Sequence, residues 1–240
     1  MNKMKSCLFT LIALAGFTIA KGQTVDEIIA KHVDAVGGKD KLAQVNSVYI
    51  ESTTDVMGNQ SPTKTYILNG KGYRNESDFN GQNMVQVVTD TGGWMINPFM
   101  GSSDPAKLPE EQFKSSVDQV YAVDPLFDYA AKGGKAELLG QEKVGDVNAY
   151  KIKYTNKLGG ETTYYIDPST WYVIQAIKQS EAMGQQVTLT ITPSDYKKTD
   201  FGVAFPSKTH MDMGQFALDV NVAKVEINKT IDPTIFDMPK

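Results

Sequence analysis

"YYIDPSTWYVIQ", residues 164–175, sets two apolar runs on either side of Asp167-Pro168-Ser169-Thr170. Turn-forming residues between aromatic and β-branched runs read as a tight hairpin. Trp171-Tyr172-Val173-Ile174 is apolar at every position, so the strand it opens needs cover on both faces. By contrast Tyr150, Ile152 and Tyr154 alternate with Lys151 and Lys153, which leaves one face of that strand wet. A sheet with such strands is a scaffold, a recognition face or a wall around something apolar.

Outward from the hairpin the period of two continues over most of the chain. Toward the N-terminus strands are expected at 47–57, 62–69, 72–79, 83–90 and 93–97. They are separated by Gly58-Asn59-Gln60, Asn69-Gly70, Asn80-Gly81 and Thr91-Gly92-Gly93. Asn-Gly between alternating strands marks a hairpin because both central residues take positive φ. Further strands are expected at 135–140, 148–155, 161–167, 171–180, 185–193, 203–212 and 215–228. Within the last the alternation slips near Ala223, which points to a bulge.

Two stretches break the pattern. Thr24-Val25-Asp26-Glu27 has the form of a capping box, and Val25, Ile28, Ile29, Val33 and Val36 follow at helical spacing until Gly37-Gly38. Lys39 to Val45 adds a turn or two. Between the two blocks of strands, residues 98–108 read as loop and Pro109 to Ala122 as a helix. Asp124-Pro125 ends that helix and starts another over Leu126 to Lys132, closed by Gly133-Gly134. Ile231 to Phe236 is expected to tuck Phe236 against the body.

Twelve antiparallel strands make a sheet large enough to curl. The expected fold is therefore mainly β with flanking helices (α+β). Its large curved antiparallel sheet forms a half-barrel, with the concave face covered by the N-terminal helix and the inserted helical lid.

Composition narrows the function. Lys3 and Lys5 precede an apolar run, Leu8 to Ala20, and Ala20-Lys21-Gly22 supplies small residues for a cut, so residues 1–22 read as a secretory signal peptide cleaved after Gly22. The expected location is the periplasm, with residues 23–240 as a single domain and a monomer. Cys7, the only cysteine, leaves with the signal, so disulfides, cysteine metal sites and thiol nucleophiles are excluded from the remainder. Residues 1–22 carry three lysines and no acids, which takes the net charge of −4 for the whole chain to −7 for residues 23–240. Arg74 is the only arginine and no basic cluster exists, which argues against nucleic acid as a partner.

No pattern marks catalysis. His32 and His210 are the only histidines, and neither lies in an HExxH spacing. His32 is read as surface or structural, within reach of Glu27 or Asp34. No GxSxG occurs, and the acids Asp26, Glu27, Glu110, Glu111, Asp124 and Asp128 cluster at helix starts, where capping explains them. The glycine pairs lack the lysine and Ser/Thr of a phosphate loop. No metal, cofactor or enzymatic activity is expected.

The order of phrases resembles a known family. "VDEIIAKHVDAVGG" precedes a meander; "LPEEQF" and "DPLFDY" form an inserted pair; "GQEKVGDVNAYKIKY", "YYIDPSTWYVIQ", "DYKKTDFGVAFPSK" and "VEINKTIDPTIFDMP" follow. The chain is similar to the LolA-like outer-membrane lipoprotein-sorting and periplasmic lipid-carrier proteins. The resemblance implies an incomplete barrel whose apolar concave side binds lipid or lipoprotein acyl chains beneath a helical lid, with membrane-bound donor and acceptor proteins as partners. It places Val117, Val120, Tyr121, Leu126, Phe127 and Tyr129 on the lid, with Phe99 and Met100 on the loop leading to it. Trp94, Ile96 and Trp171 are pocket-lining candidates because apolar pockets use the residue types of cores. Arg74 is the only residue able to match an arginine that functions in the carriers. Sensor-type relatives share the fold without passing cargo on, so an envelope protein-interaction module is the alternative.

Overall fold

The structure, a computed structural model, describes residues 23–100, 102–182 and 185–239. The predicted signal peptide lies outside the described residues. One antiparallel sheet of thirteen strands dominates. The first block is β1 Ser47–Val56, β2 Asn59–Leu68, β3 Gly72–Phe79, β4 Gln82–Thr89, β5 Gly93–Asn97 and β6 Ser102–Lys107. The second is β7 Lys135–Val144, β8 Val147–Thr155, β9 Glu161–Ile166, β10 Val173–Ala182, β11 Gln185–Lys198, β12 Ala204–Asp212 and β13 Ala217–Ile227. Each block is a meander, and β1 pairing with β13 joins them, so the order runs β6 to β1, then β13 to β7. The two free edges, β6 and β7, are consecutive in the chain and are linked by residues 108–134. The insertion therefore bridges the gap of an open, curled half-barrel.

Local chemistry sets the register. Asn80 and Gly81 both have positive φ, 54° and 79°, as a two-residue hairpin turn requires. Between β1 and β2 the same device falls on Met57-Gly58 (φ 54° and 86°), with Asp55 Oδ1 accepting from the Gly58 N–H. This earlier turn starts β2 at Asn59 instead of 62. Glu51 pairs with Lys224 and Ser52 with Val222, so Ala223 is the extra residue of a bulge, where the alternation slips. In the 167–172 turn, Asp167 accepts from Ser169 N–H and Oγ and from Thr170 Oγ1.

The helices differ from expectation in the insertion. α1, Val25–Val36, has its reciprocal Thr24–Glu27 cap, and the short α2, Lys39–Leu42, follows. α3 covers only Glu110–Ser116 and tightens into a 3₁₀ turn over Val117–Val120. Ser115 Oγ donates back to the Gln112 carbonyl, and β-branched valines follow, so propagation stops there. Residues 125–133 run as successive turns, not as a second helix. Asp128 at φ 53° breaks helical geometry. The expected loop at 98–108 holds β6, an edge strand that tolerates Pro105 because its outer side needs no donor.

α1 lies on the concave face. Ile28, Ile29, Val33 and Val36 pack with Val48, Ile152, Ile166, Val173 and Val203 of the sheet region and with Leu126 and Phe127 of the insertion. A smaller cluster, Val88, Leu108 and Val120, fixes the insertion to the first block.

Candidate functional site

Strand partners directly opposite each other share a face, which gives each residue a side. Ile67 pairs with Tyr73, and Tyr73 with Val88, so these line one face. Tyr164 pairs with Ala176, and Ala176 with Ile191; Thr162 pairs with Lys178, and Lys178 with Leu189. Between these two inner surfaces and the insertion lies a cavity of about 410 Å³. Its wall takes Val36 and His32 from α1, Ile67 and Tyr73 from β2–β3, and Tyr164, Val173 and Ala176 from β9–β10. Ile191, Tyr196 and Phe205 continue it along β11–β12, and Asp118, Gln119 and Tyr121 to Pro125 roof it. The size falls within the roughly 300–1,000 Å³ typical of small-ligand sites.

A latch with its histidine buried and its carboxylate partly exposed joins the roof to α1. His32, 1 % exposed, brings Nδ1 to 2.7 Å from the Trp171 carbonyl and Nε2 to 3.3 Å from Asp124 Oδ2. Both partners are acceptors when Asp124 is ionised, so the arrangement is satisfied by the doubly protonated ring. Burial opposes that charge, but the Asp124 carboxylate and the Trp171 carbonyl outweigh it and raise the His32 pKa. For Asp124, burial is likewise outweighed by His32, by the Leu126 N–H at 2.7 Å and by Lys132, and its pKa is lowered. The latch joins α1, the 167–172 turn and the insertion. Trp171 has φ 61°, strained for a bulky residue, and its captured carbonyl helps hold it there. His32 thus pairs with neither Glu27 nor Asp34, and it is buried, not at the surface.

Other polar groups enter the wall. Asp118 accepts from Tyr154 Oη and Asn156 Nδ2, both at 3.1 Å; burial outweighs these bonds and raises its pKa. Lys178 Nζ donates to the Ser115 carbonyl at 3.1 Å, and burial lowers its pKa against the pull of Asp118. Outside the lining, Lys132 lies 4.3 Å over the Tyr121 ring and is pushed down to about 8 by burial, against Asp124, Asp118 and Asp128. Burial alone pushes the Tyr73 hydroxyl up to about 12. Among the described residues no cluster of three or more His, Asp or Glu side chains is placed to hold a metal ion.

The structure distributes the residues singled out from the sequence over several environments. Tyr121 lines the cavity. Val117 and Val120 are buried beneath the roof, and Leu126 and Phe127 are buried against α1 and the sheet. Tyr129 packs at the edge of that core and donates to Asp26 at 2.7 Å. Trp171 stacks on Tyr150 at 5.7 Å, with Lys31 Nζ over its ring. Phe99 is 56 % exposed and meets Phe79 edge-on. The Met100 side chain lies outside the described residues.

Trp94 and Ile96 sit on the opposite face. Arg74 pairs with Val87, and Val87 with Trp94, one position out of phase with the cavity-lining Tyr73. There Trp94 is buried with Val85, Val87 and Phe236, Ile96 packs beside them, and Trp94 Nε1 donates to the Phe236 carbonyl at 2.9 Å. Arg74 donates to Glu76 Oε1 at 2.6 Å and to the Ile235 carbonyl at 2.7 Å, clamping the C-terminal segment to this convex face. Gly72 completes the seat, because a Cβ there would stand 2.6 Å from the Phe236 ring. Arg74 is therefore held away from the cavity.

Sequence reading missed Lys178 and the His32–Asp124 pair. The β9–β10 register shifts between Val173 and Gln175. That bulge puts Val173, Ala176 and Lys178 on one face, which strict alternation separates. Nothing local to residue 32 or residue 124 announces the other.

No protein-family model matches the sequence, and comparison with curated proteins finds no match. Solved structures do match. A LolA superfamily protein from Nitrosomonas europaea is similar at TM-score 0.59 and 12 % identity, over 90 % of this chain and 98 % of that one. A DUF1329 family protein from Desulfovibrio piger gives 0.58 and 15 %, over 90 % and 98 %. A putative outer membrane lipoprotein-sorting protein domain from Vibrio parahaemolyticus gives 0.56 and 12 %, over 88 % and 95 %. At such identities the likeness speaks for architecture: the protein has a LolA-like fold.

Proposed function

We propose that the protein binds lipid or lipoprotein acyl chains in this cavity and carries them across the periplasm, without enzymatic activity. The observation that carries the reading is an apolar space left open between a curled sheet and a bridging insertion. Similar folds include one described as a lipoprotein-sorting domain, which supports the assignment. At about 30 Å³ per group, the volume of a liquid water, 410 Å³ accommodates roughly a dozen methylene-sized groups. At about 0.8 kcal/mol each their burial contributes on the order of 10 kcal/mol before the entropy of association is subtracted.

On this reading Tyr121 contacts cargo, while Val117, Val120, Leu126 and Phe127 hold the roof in place. Entry and release require the insertion to lift, and the His32–Asp124 latch is what it must break. Membrane-bound donor and acceptor proteins would supply and withdraw the chain. The reading of residues 1–22 as an export signal, and the absence from the described residues of any helix long and apolar enough to cross a membrane, agree with a periplasmic carrier. Native mass spectrometry of protein purified gently from the envelope is the test. Co-purifying lipid is expected; a clean apo mass together with no uptake of added lipid overturns the proposal.

A further inference from the structure

Resting on that reading, we infer that the cargo is a single-chain amphiphile with an anionic head, seated with its head on Lys178 and its tail in the apolar wall. Three observations lead here. First, an apolar space of about 410 Å³, room for roughly a dozen methylene-sized groups, is of a size to seat one straight chain.

Second, Lys178 faces inward on the same side of the sheet as Thr162, Leu189, Ala176 and Tyr164. Lysines in such company are normally paired. An ammonium has three donors, and among the described residues Lys178 spends one, on the Ser115 carbonyl. The acid nearest in electrostatic influence, Asp118, is engaged by Tyr154 and Asn156 and forms no ion pair with it. Asp124, also in the wall, is engaged by His32. An anionic head at Lys178 would take up the donors that the Ser115 carbonyl leaves free on a half-buried ammonium.

Third, the polar atoms of this wall are not all satisfied by the protein. Gln119, in the roof, keeps its side-chain Oε1 buried without a hydrogen-bond partner among the described residues. Buried polar atoms are ordinarily paired, and this acceptor calls for a donor, which a water brought in with the hydrated head group would supply.

The test compares four probes on delipidated protein by calorimetry at pH 7: dodecanoic acid, dodecanol, dodecyl phosphate and a diacyl phosphatidylglycerol. Dodecanoate is expected to bind about tenfold more tightly than dodecanol, the worth of a charge-assisted hydrogen bond. Lys178→Met should reduce that preference to within about twofold while dodecanol affinity stays put, and Lys178→Arg should retain it. Dodecyl phosphate matching dodecanoate assigns the site to anionic heads in general; weaker phosphate binding assigns it to carboxylates. Equal binding of acid and alcohol, a preference that survives Lys178→Met, or displacement of dodecanoate by the diacyl lipid at lower concentration overturns the inference. Should Lys178→Met fold poorly, Lys178→Gln, which also removes the charge, carries the same comparison. Binding by none of the probes removes the carrier reading as well, whereas equal acid and alcohol binding removes only this one.

Discussion

The two faces of the first strand block are made by alternate residues of the same strands, yet they end differently. On the convex face Val85, Val87 and Trp94 are sealed by Phe236, and the Trp94 indole and the Arg74 guanidinium find backbone carbonyls of the C-terminal segment. On the concave face Ile67 and Tyr73 look into open space, with Gln119 Oε1 unpaired in the roof beyond. On the concave side Val88, Leu108 and Val120 pack the insertion down, yet beside them a cavity of about 410 Å³ stays open. Interiors are normally packed like crystals, so a space of this size sets the concave side apart from the convex one.

The contrast can be broken from the filled side first. Trp94→Ala should destabilise by about 3–5 kcal/mol in denaturant unfolding, as loss of a buried aromatic does, while acyl-chain affinity changes little. A large loss of affinity with little loss of stability would reverse the roles of the two faces.

The latch comes next. Asp124→Asn should cost about 2–3 kcal/mol, since it removes a charge-assisted partner from a buried imidazole. The sign of its pH dependence follows from the two shifts. His32 has a raised pKa, so its contribution is fully present below 6.5 and fades as pH rises through the raised value. Asp124 has a lowered pKa, so its contribution is present above 3.8 and fades as pH falls through the lowered value. The gap in melting temperature between wild type and Asp124→Asn should therefore be widest between the ordinary values, about pH 4 to 6.5, and narrow as pH rises through the raised His32 value. A gap that grows above pH 7 would contradict the latch.

The smallest expected change in stability comes from filling the open side. Overpacking a close-packed core costs about 1–3 kcal/mol, but a side chain entering empty space meets little resistance. Ala176→Phe, in the cavity wall, should shift stability by less than about 1 kcal/mol and weaken acyl-chain binding at least about tenfold. Strong destabilisation would show that the concave side is already filled.

Much of this architecture was legible because it rests on local rules. The Asn80-Gly81 turn, the Thr24–Glu27 cap, the Asp167 turn and the bulge at Ala223 each follow from a few neighbouring residues. The site was less legible because it depends on phase and on distant partners. Alternation in β5 separates Trp94 and Ile96 from Met95 without saying which set faces inward. Met95 in fact joins the concave cluster of Val88 and Leu108. Lys178 reaches the inner face only through a bulge, and the latch joins residues 92 apart in sequence. The insertion looked helical throughout, but Ser115 and Asp128 redirect its backbone locally.

The central claim, that the half-barrel keeps apolar room for one chain, is tested most directly by a ligand length series. Dissociation constants for straight-chain carboxylates from six to eighteen carbons should fall about fourfold per methylene, the worth of about 0.8 kcal/mol, and level off near a dozen carbons as the space fills. Affinity independent of chain length, or a continued rise to eighteen carbons without a break, would contradict it.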